Sequence, residues 1–184
     1  RGFAALWGVK IPRERMRTMA AALGADVPYF LEGGTALGLE RGDLLFALVD
    51  APAAWVTLVL PAFGVSTREA YGWWDASVAA GRSRVRRRLS DTPASRDRAV
   101  SEEGVNDLQA PVVRHHPEIG RIVSALRDQG AGHAAMSGSG SAVFGLFSSR
   151  IAAEAAACAL TTRSRRTMVT RTVNRVKYQT LAAC

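Results

Sequence analysis

Residues 130–147 read GAGHAAMSGSGSAVFGLF, two apolar runs separated by five small residues at a place where a strand would otherwise continue. These five residues, 137–141, predict a turn between two strands. Glycine allows φ > 0 and lets a ligand approach the backbone without meeting a Cβ, and successive N–H groups and serine hydroxyls can converge on an anion. A phosphate group is therefore one candidate ligand. The same composition is typical of an ordinary hairpin turn, so the stretch alone leaves both interpretations open.

The helix predicted immediately before this stretch, over residues 117–129, has a strong amphipathic pattern. Pro117 stands in its first turn and Gly130 follows its end, as expected for helix termini. One face carries four apolar residues at i, i+3, i+4 and i+7: Ile119, Ile122, Val123 and Leu126. This face predicts burial against a sheet.

The remaining patterns predict an α+β fold. Helices are predicted over residues 12–23, 67–80, 106–115 and 150–160, a β-hairpin over 35–49, and strands over 54–60 and 168–176. From residue 54 onward the order is strand, helices, strand, strand, helix, strand, which is the ferredoxin-like split βαβ pattern. A boundary near residues 50–53 then divides the chain into residues 1–52 and a C-terminal domain, residues 53–184.

Length and composition favour a globular protein with its own core. The chain has 184 residues, 48% of them hydrophobic, and no run approaches the roughly 18 apolar residues that a membrane span needs. Cys158 and Cys184 form no disulfide or metal-ligand pattern, which suits a reducing, cytoplasmic location. The three histidines lack acidic partners at metal-ligand spacing, so no metal site is predicted: His115, His116 and His133.

The net charge of +8 is concentrated in two stretches. Residues 82–98 contain seven Arg and two Asp, and residues 163–177 contain six basic residues and no acid. Neither stretch interleaves its cations with the aromatic residues that stack on bases. A solvated loop and a basic edge strand are therefore favoured over a nucleic-acid-binding surface, which stays an alternative.

A second segment, residues 23–43, reads LGADVPYFLEGGTALGLERGD. Asp26 follows a predicted helix end, and Pro28 disfavours helical dihedrals at Val27, so the Asp26 carboxylate is presented by constrained backbone. Two roles fit this position: the N-cap of a short helix through Val27, Pro28 and Tyr29, or a carboxylate placed for chemistry.

In combination these segments resemble the GHMP kinases. The motifs are GADVP at 24–28 with the glycine hairpin after it, NDL at 106–108, MSGSGS at 136–141 and VTRTVNRVKYQ at 169–179. Their order along nearly the whole chain makes the resemblance specific. It is greatest for the branch that phosphorylates 4-diphosphocytidyl-2-C-methyl-D-erythritol in the methylerythritol phosphate route to isoprenoid precursors. Kinases of this family that act on homoserine, mevalonate or a sugar are the near alternative.

The resemblance implies a two-domain GHMP-kinase fold, with ATP and Mg²⁺ as cofactors, a small-molecule acceptor and an active site between the domains. It makes Asp26 the general base that takes the proton from the acceptor hydroxyl. It also places a phosphate- and substrate-binding group at Ser137, Gly138, Ser139, Gly140, Ser141 and Thr67. For Thr67, a hydroxyl at a helix N-terminus, supplied by Ser66 or Thr67, is an equally open interpretation. Asn106 is interpreted as an N-cap or a residue lining the cleft, with the cap preferred.

Family members begin with a strand that carries a lysine, followed by a loop of the form PxxxGLGGGSS around the ATP phosphates. Neither motif occurs in this sequence. We therefore expect residues 1–52 to be the C-terminal remnant of the ATP-binding domain. We also expect residues 1–184 alone to be inactive.

Overall fold

A computed structural model describes residues 2–80 and 106–182, so the arginine-rich stretch 82–98 lies outside the described residues. The chain forms two compact units. The first consists of Arg1–Ala53 together with Thr172–Cys184, and the second of Ala54–Arg171. No helix in the described ranges is long and apolar enough to cross a membrane.

The second unit is built on a four-stranded antiparallel sheet in the order β4-β5-β3-β6. Its strands are β3 (Trp55–Pro61), β4 (His133–Met136), β5 (Val143–Phe147) and β6 (Arg165–Arg171). Its helices are α4 (Thr67–Ala79), α5 (Gln109–His115), α6 (Pro117–Asp128) and α7 (Arg150–Leu160). Because β3 lies between the parallel strands β5 and β6, which α7 connects, the unit is a split βαβ fold, and the predicted α+β class is confirmed.

The core of the second unit lies between its sheet and α6 and α7. All four residues of the predicted apolar face of α6 are buried, from Ile119 to Leu126, and they pack with Val143 and Phe147 of β5. Thr57 of β3 is also fully buried, and its hydroxyl donates to the carbonyl oxygen of Ala153 in α7 at 2.8 Å. The buried hydroxyl is thereby satisfied, as burial of a polar group requires.

The first unit contains α1 (Gly2–Leu6), α2 (Arg13–Leu23), α3 (Tyr29–Glu32), the hairpin strands β1 (Ala36–Leu39) and β2 (Leu44–Ala47), and α8 (Arg175–Ala182). In α2, Ala20 is buried, whereas Met19 and Leu23 of the predicted apolar face are exposed. Both hairpin strands also expose large apolar side chains. Packing within the first unit therefore leaves most of the apolar face of α2 and of the apolar side chains of the hairpin exposed.

Arg175 connects the C-terminal residues to the rest of the first unit. Its backbone N–H donates to Oδ2 of Asp50 at 2.8 Å, and its guanidinium donates to the carbonyl oxygens of Gly33 and Thr35 at 3.2 and 2.6 Å. The other oxygen of Asp50 accepts the N–H of Thr35 at 2.8 Å. Gly34 has φ +71°, and a Cβ there would overlap both Asp50 and Arg175. The glycine pair Gly33 and Gly34 thus packs against the hydrogen-bonded residues Asp50 and Arg175.

The structure corrects the predicted C-terminal strand. The strand ends at Arg171, and residues 175–182 form α8 instead. The helix begins there because Oδ1 of Asn174 accepts the N–H of Lys177 at 2.8 Å, the bond of an N-cap. The predicted C-terminal domain, residues 53–184, included these residues, but they group with the first unit because α8 makes its hydrogen bonds there.

Candidate active site

The serine–glycine turn lies between β4 and β5, as the sequence predicts. Its base is closed by the N–H of Ser137, which donates to Ala142 O at 2.9 Å, and by the N–H of Gly140, which donates to Ser137 O at 2.9 Å. Within residues 2–80 and 106–182, the N–H groups of Gly138 and Ser139 have no acceptor. The turn therefore presents two adjacent backbone donors, and Gly138 is exposed.

The second unit brings Thr67 to this turn. Thr67 is the first residue of α4, and its Oγ1 lies 3.2 Å from Oγ of Ser139. The first α4 hydrogen bond runs from Ala70 N to Ser66 O, which leaves the preceding N–H groups unbonded within the helix. These donors and the positive end of the helix dipole stand beside the turn and favour an anion there.

Ser141 has a different environment from the rest of the turn. Its hydroxyl donates to the carbonyl oxygen of Phe63, in the segment between β3 and α4. The Phe63 ring in turn stacks on His116 at a centroid distance of 4.9 Å. Ser141 therefore fixes the turn to the body of the unit.

Asn106 makes one local hydrogen bond and two long-range hydrogen bonds, and sequence reasoning missed the two long-range ones. Its Oδ1 accepts the N–H of Leu108 at 3.1 Å, a local turn before α5. The N-cap position of α5 is Leu108 itself, so the preferred N-cap role of Asn106 is wrong. Its Nδ2 donates to the carbonyl oxygens of Met136 and Gly138 at 2.9 and 2.7 Å. Beside it, Oε1 of Gln109 accepts the N–H of Met136 at 2.7 Å. An asparagine before a helix indicates the local bond, but nothing in the sequence indicates the contacts 30 residues away.

The two glycines of the turn differ in their surroundings. Both have positive φ, +55° at Gly138 and +89° at Gly140. A Cβ at Gly140 would lie 2.9 Å from Sδ of Met136, whereas a Cβ at Gly138 would meet nothing within 4 Å. A substitution at Gly140 therefore disturbs packing, and Gly138 is the position at which ligand approach can be tested.

We expect Gly138→Ala to weaken phosphate binding more than it weakens folding. Left-handed backbone costs an alanine about 1–2 kcal/mol, and the added methyl group stands where an anion would approach the free N–H groups. Gly130→Ala is the matched control, because Gly130 also has positive φ and open space around it but follows α6. Pyrophosphate titration and thermal unfolding of both variants measure the two effects. Equal pyrophosphate affinity in the two variants would identify the turn as a plain hairpin.

Asp26 lies in the first unit, in the turn between α2 and α3, and is exposed. Its backbone carbonyl accepts the N–H of Tyr29 at 3.2 Å. The N-cap position of α3 is occupied by Pro28, with no side-chain capping bond, so the structure removes the capping alternative. In the described part of the chain no group donates to the Asp26 carboxylate, which leaves it available to a ligand.

Glu32, at the end of α3, anchors the segment that follows Asp26. Nε of Arg17 donates to one carboxylate oxygen at 2.8 Å, and Arg13 pairs with the other at 2.6 Å. Burial would raise the pKa of Glu32, but the hydrogen bond from Arg17 and the charge of Arg13 hold that pKa below its ordinary value of 4.5. Tyr178 of α8 also donates to the carbonyl of Phe30 at 2.6 Å.

We expect the first unit to lose stability below about pH 5, as its carboxylates become protonated. A lowered folded pKa means that the unfolded chain binds protons first, so the contribution of Glu32 is present above its ordinary pKa and is lost as pH falls through the folded value. Asp50 acts in the same direction, because the N–H groups of Arg175 and Thr35 lower its pKa. In Glu32→Gln, the hydrogen-exchange protection of the hairpin amides should fall less between neutral and acid pH than it does in the wild type. In Glu14→Gln the fall should equal that of the wild type. A wild-type pH dependence in Glu32→Gln would show that the ion pairs of Glu32 do not stabilise the first unit.

The three histidines lie at the ends of elements of the second unit. His115 ends α5 and stacks on Trp73 at 4.1 Å, His116 follows it, and His133 begins β4. Nowhere in the described ranges do three or more His, Cys, Asp or Glu side chains cluster closely enough to hold a metal ion. Trp73 also packs against the core of the second unit.

Comparison with known proteins now identifies the family. Residues 92–165 match the family model described as GHMP kinases C terminal. A 4-diphosphocytidyl-2-C-methyl-D-erythritol kinase of Moorella thermoacetica is 37% identical over 177 residues, which is 94% of this chain and 61% of that protein. The chain belongs to the GHMP kinases. A kinase of the same name from Exiguobacterium sibiricum is 35% identical over 146 residues, 79% of this chain and 51% of that protein.

A solved structure shows the same similarity in the fold. The crystal structure of a 4-(cytidine 5'-diphospho)-2C-methyl-D-erythritol kinase matches with a TM-score of 0.69 and 29% identity, over 92% of this chain and 60% of that one. The chain thus spans between one half and two thirds of the length of these relatives.

Proposed function

We propose that the protein transfers the γ-phosphoryl group of ATP to the 2-hydroxyl of 4-diphosphocytidyl-2-C-methyl-D-erythritol. Phosphate binding in this proposal is supported by the turn at residues 137–141, where the free N–H groups of Gly138 and Ser139 lie beside the start of α4. The choice of acceptor is supported by the names of the relatives at 35–37% identity.

In the proposed reaction Asp26 is the general base. The acceptor hydroxyl oxygen forms a bond to the γ-phosphorus, the bond from that phosphorus to the β,γ-bridging oxygen breaks, ADP leaves, and the hydroxyl proton passes to the carboxylate of Asp26. An exposed carboxylate without donors within the described ranges is suited to this task, because it is neither capping a helix nor paired with a cation. Phosphoryl transfer asks a protein mainly for positioning and for stabilisation of charge.

The turn would supply backbone donors to phosphate oxygens. Two adjacent N–H groups, the Ser137 hydroxyl and the N-terminus of α4 concentrate positive potential without a cationic side chain. Thr67, bonded to Ser139, adds a hydroxyl at the same place. Mg²⁺ fits the proposal as a partner of ATP, because a magnesium ion bound by phosphates needs only one or two protein carboxylates.

Product analysis with a panel of acceptors tests the proposal. The protein expressed from its intact gene is incubated with ATP, Mg²⁺ and, separately, the diphosphocytidyl substrate, homoserine and mevalonate. We expect ADP formation only with the diphosphocytidyl substrate. Turnover of homoserine or mevalonate at a similar or higher rate would assign the protein to another branch of the family, and strong salt-sensitive binding to unrelated nucleic acids would favour the basic binding protein instead.

A further inference from the structure

We propose that Asn106 is a positioning residue that sets the direction of the free N–H group of Ser139 in the serine–glycine turn. This inference rests on the phosphate-binding role proposed for the turn. Asn106 lies before α5 and reaches the turn from outside it, through the two hydrogen bonds of its Nδ2 to Met136 O and Gly138 O. An amide nitrogen carries two protons, and both are used here.

The hydrogen bond to the carbonyl of Gly138 orients the peptide plane between Gly138 and Ser139. In a planar trans peptide the carbonyl and the next N–H point to opposite sides. Since Asn106 holds the carbonyl of Gly138 at 2.7 Å, the N–H of Ser139 points away from Asn106. The peptide plane between Met136 and Ser137 follows the same rule, because Asn106 binds Met136 O while the N–H of Ser137 donates to Ala142 O on the other side.

The amide of Asn106 is itself held in one orientation. Its Oδ1 accepts the N–H of Leu108, and its backbone carbonyl accepts the N–H of Gln109 at 2.9 Å. The oxygen therefore faces a donor and the nitrogen faces two acceptors, an arrangement that a carboxylate cannot reproduce. Without the two Nδ2 bonds the Gly138–Ser139 plane loses its side-chain anchor, and Gly138 is free to rotate because it has no Cβ.

Two substitutions separate loss of the donors from a change of charge. Asn106→Asp keeps the shape and the acceptor for Leu108 but removes both donors and adds a negative charge. Asn106→Ser is neutral and keeps a short acceptor for Leu108, but its hydroxyl is too short to reach the turn. Asn174→Asp is the matched control, because Asn174 also accepts a nearby N–H through Oδ1 and lies in the first unit.

The measurement is a titration of the ¹⁵N-labelled chain with inorganic pyrophosphate, followed at the amide resonances of Gly138 and Ser139. We expect both resonances to move in the wild type and in Asn174→Asp, and to need about tenfold more pyrophosphate in both Asn106 variants, the cost of about one hydrogen bond. The amides of Gly130 and Gly145 report that the fold of the second unit is retained.

The outcomes distinguish this inference from the proposed function. Wild-type affinity in both Asn106 variants, or a loss confined to Asn106→Asp, overturns the positioning role and leaves the phosphate role of the turn intact. Wild-type resonances that ignore pyrophosphate overturn the phosphate role of the turn and this inference with it. Product analysis with the diphosphocytidyl substrate remains an independent measure of kinase activity.

Discussion

Asp26→Asn is expected to lower turnover by about 10²- to 10⁴-fold in the protein expressed from its intact gene, the loss typical of a removed acid–base group. The substitution keeps the size and shape of the side chain but removes the proton acceptor. Because the carboxylate makes no hydrogen bond in the described chain, the midpoint of thermal unfolding should stay unchanged. Steady-state kinetics with the diphosphocytidyl substrate measures the loss.

Asp43→Asn provides the matched control for this experiment. Asp43 is a carboxylate of the same unit, at the turn of the hairpin, where it pairs with Arg41 at 2.6 Å. Its replacement should leave turnover close to the wild-type value. If Asp26→Asn retains the turnover of Asp43→Asn, the general base must be sought elsewhere.

Gly34→Ala is expected to unfold the first unit or nearly so. At φ +71° an alanine already costs about 1–2 kcal/mol. In addition, its Cβ would overlap Asp50 and lie 2.7 Å from Cβ and 3.2 Å from Cα of Arg175, so backbone as well as side chain would have to move. Overpacking of this kind adds about 1–3 kcal/mol. Against a total stability of about 5–15 kcal/mol the combined loss is large.

Gly42→Ala separates the two costs. Gly42 also has positive φ, in the turn between β1 and β2, but a Cβ there meets nothing within 4 Å. Hydrogen exchange of the hairpin and α8 should therefore show moderate loss of protection in Gly42→Ala and nearly complete loss in Gly34→Ala. Equal protection in both would mean that the contact between Arg175 and Asp50 is not a structural constraint.

The sequence predicts the second unit well because its patterns are local and mutually consistent. The apolar face from Ile119 to Leu126 specifies both the helix and its buried side, and the order of strands and helices restricts the topology to a split βαβ fold. Pro117 and Gly130 delimit α6 nearly as predicted.

Two features were not predicted, for different physical reasons. The Val and Thr residues before Asn174 favour a strand, so the sequence pattern predicted a strand across the start of α8. The helix begins there because Asn174 caps it through its bond to Lys177. The role of Asn106 depends on contacts with Met136 and Gly138, which no local pattern encodes. Such contacts form only after the fold has brought together segments that are far apart in the sequence.

Direct identification of the reaction product tests the central claim. The protein expressed from its intact gene is incubated with ATP, Mg²⁺ and 4-diphosphocytidyl-2-C-methyl-D-erythritol, and the product is examined by ³¹P NMR. The account predicts one new phosphomonoester, on the 2-hydroxyl, formed in equal amount with ADP and nearly absent with Asp26→Asn. No phosphomonoester, or one on a different hydroxyl, would contradict it.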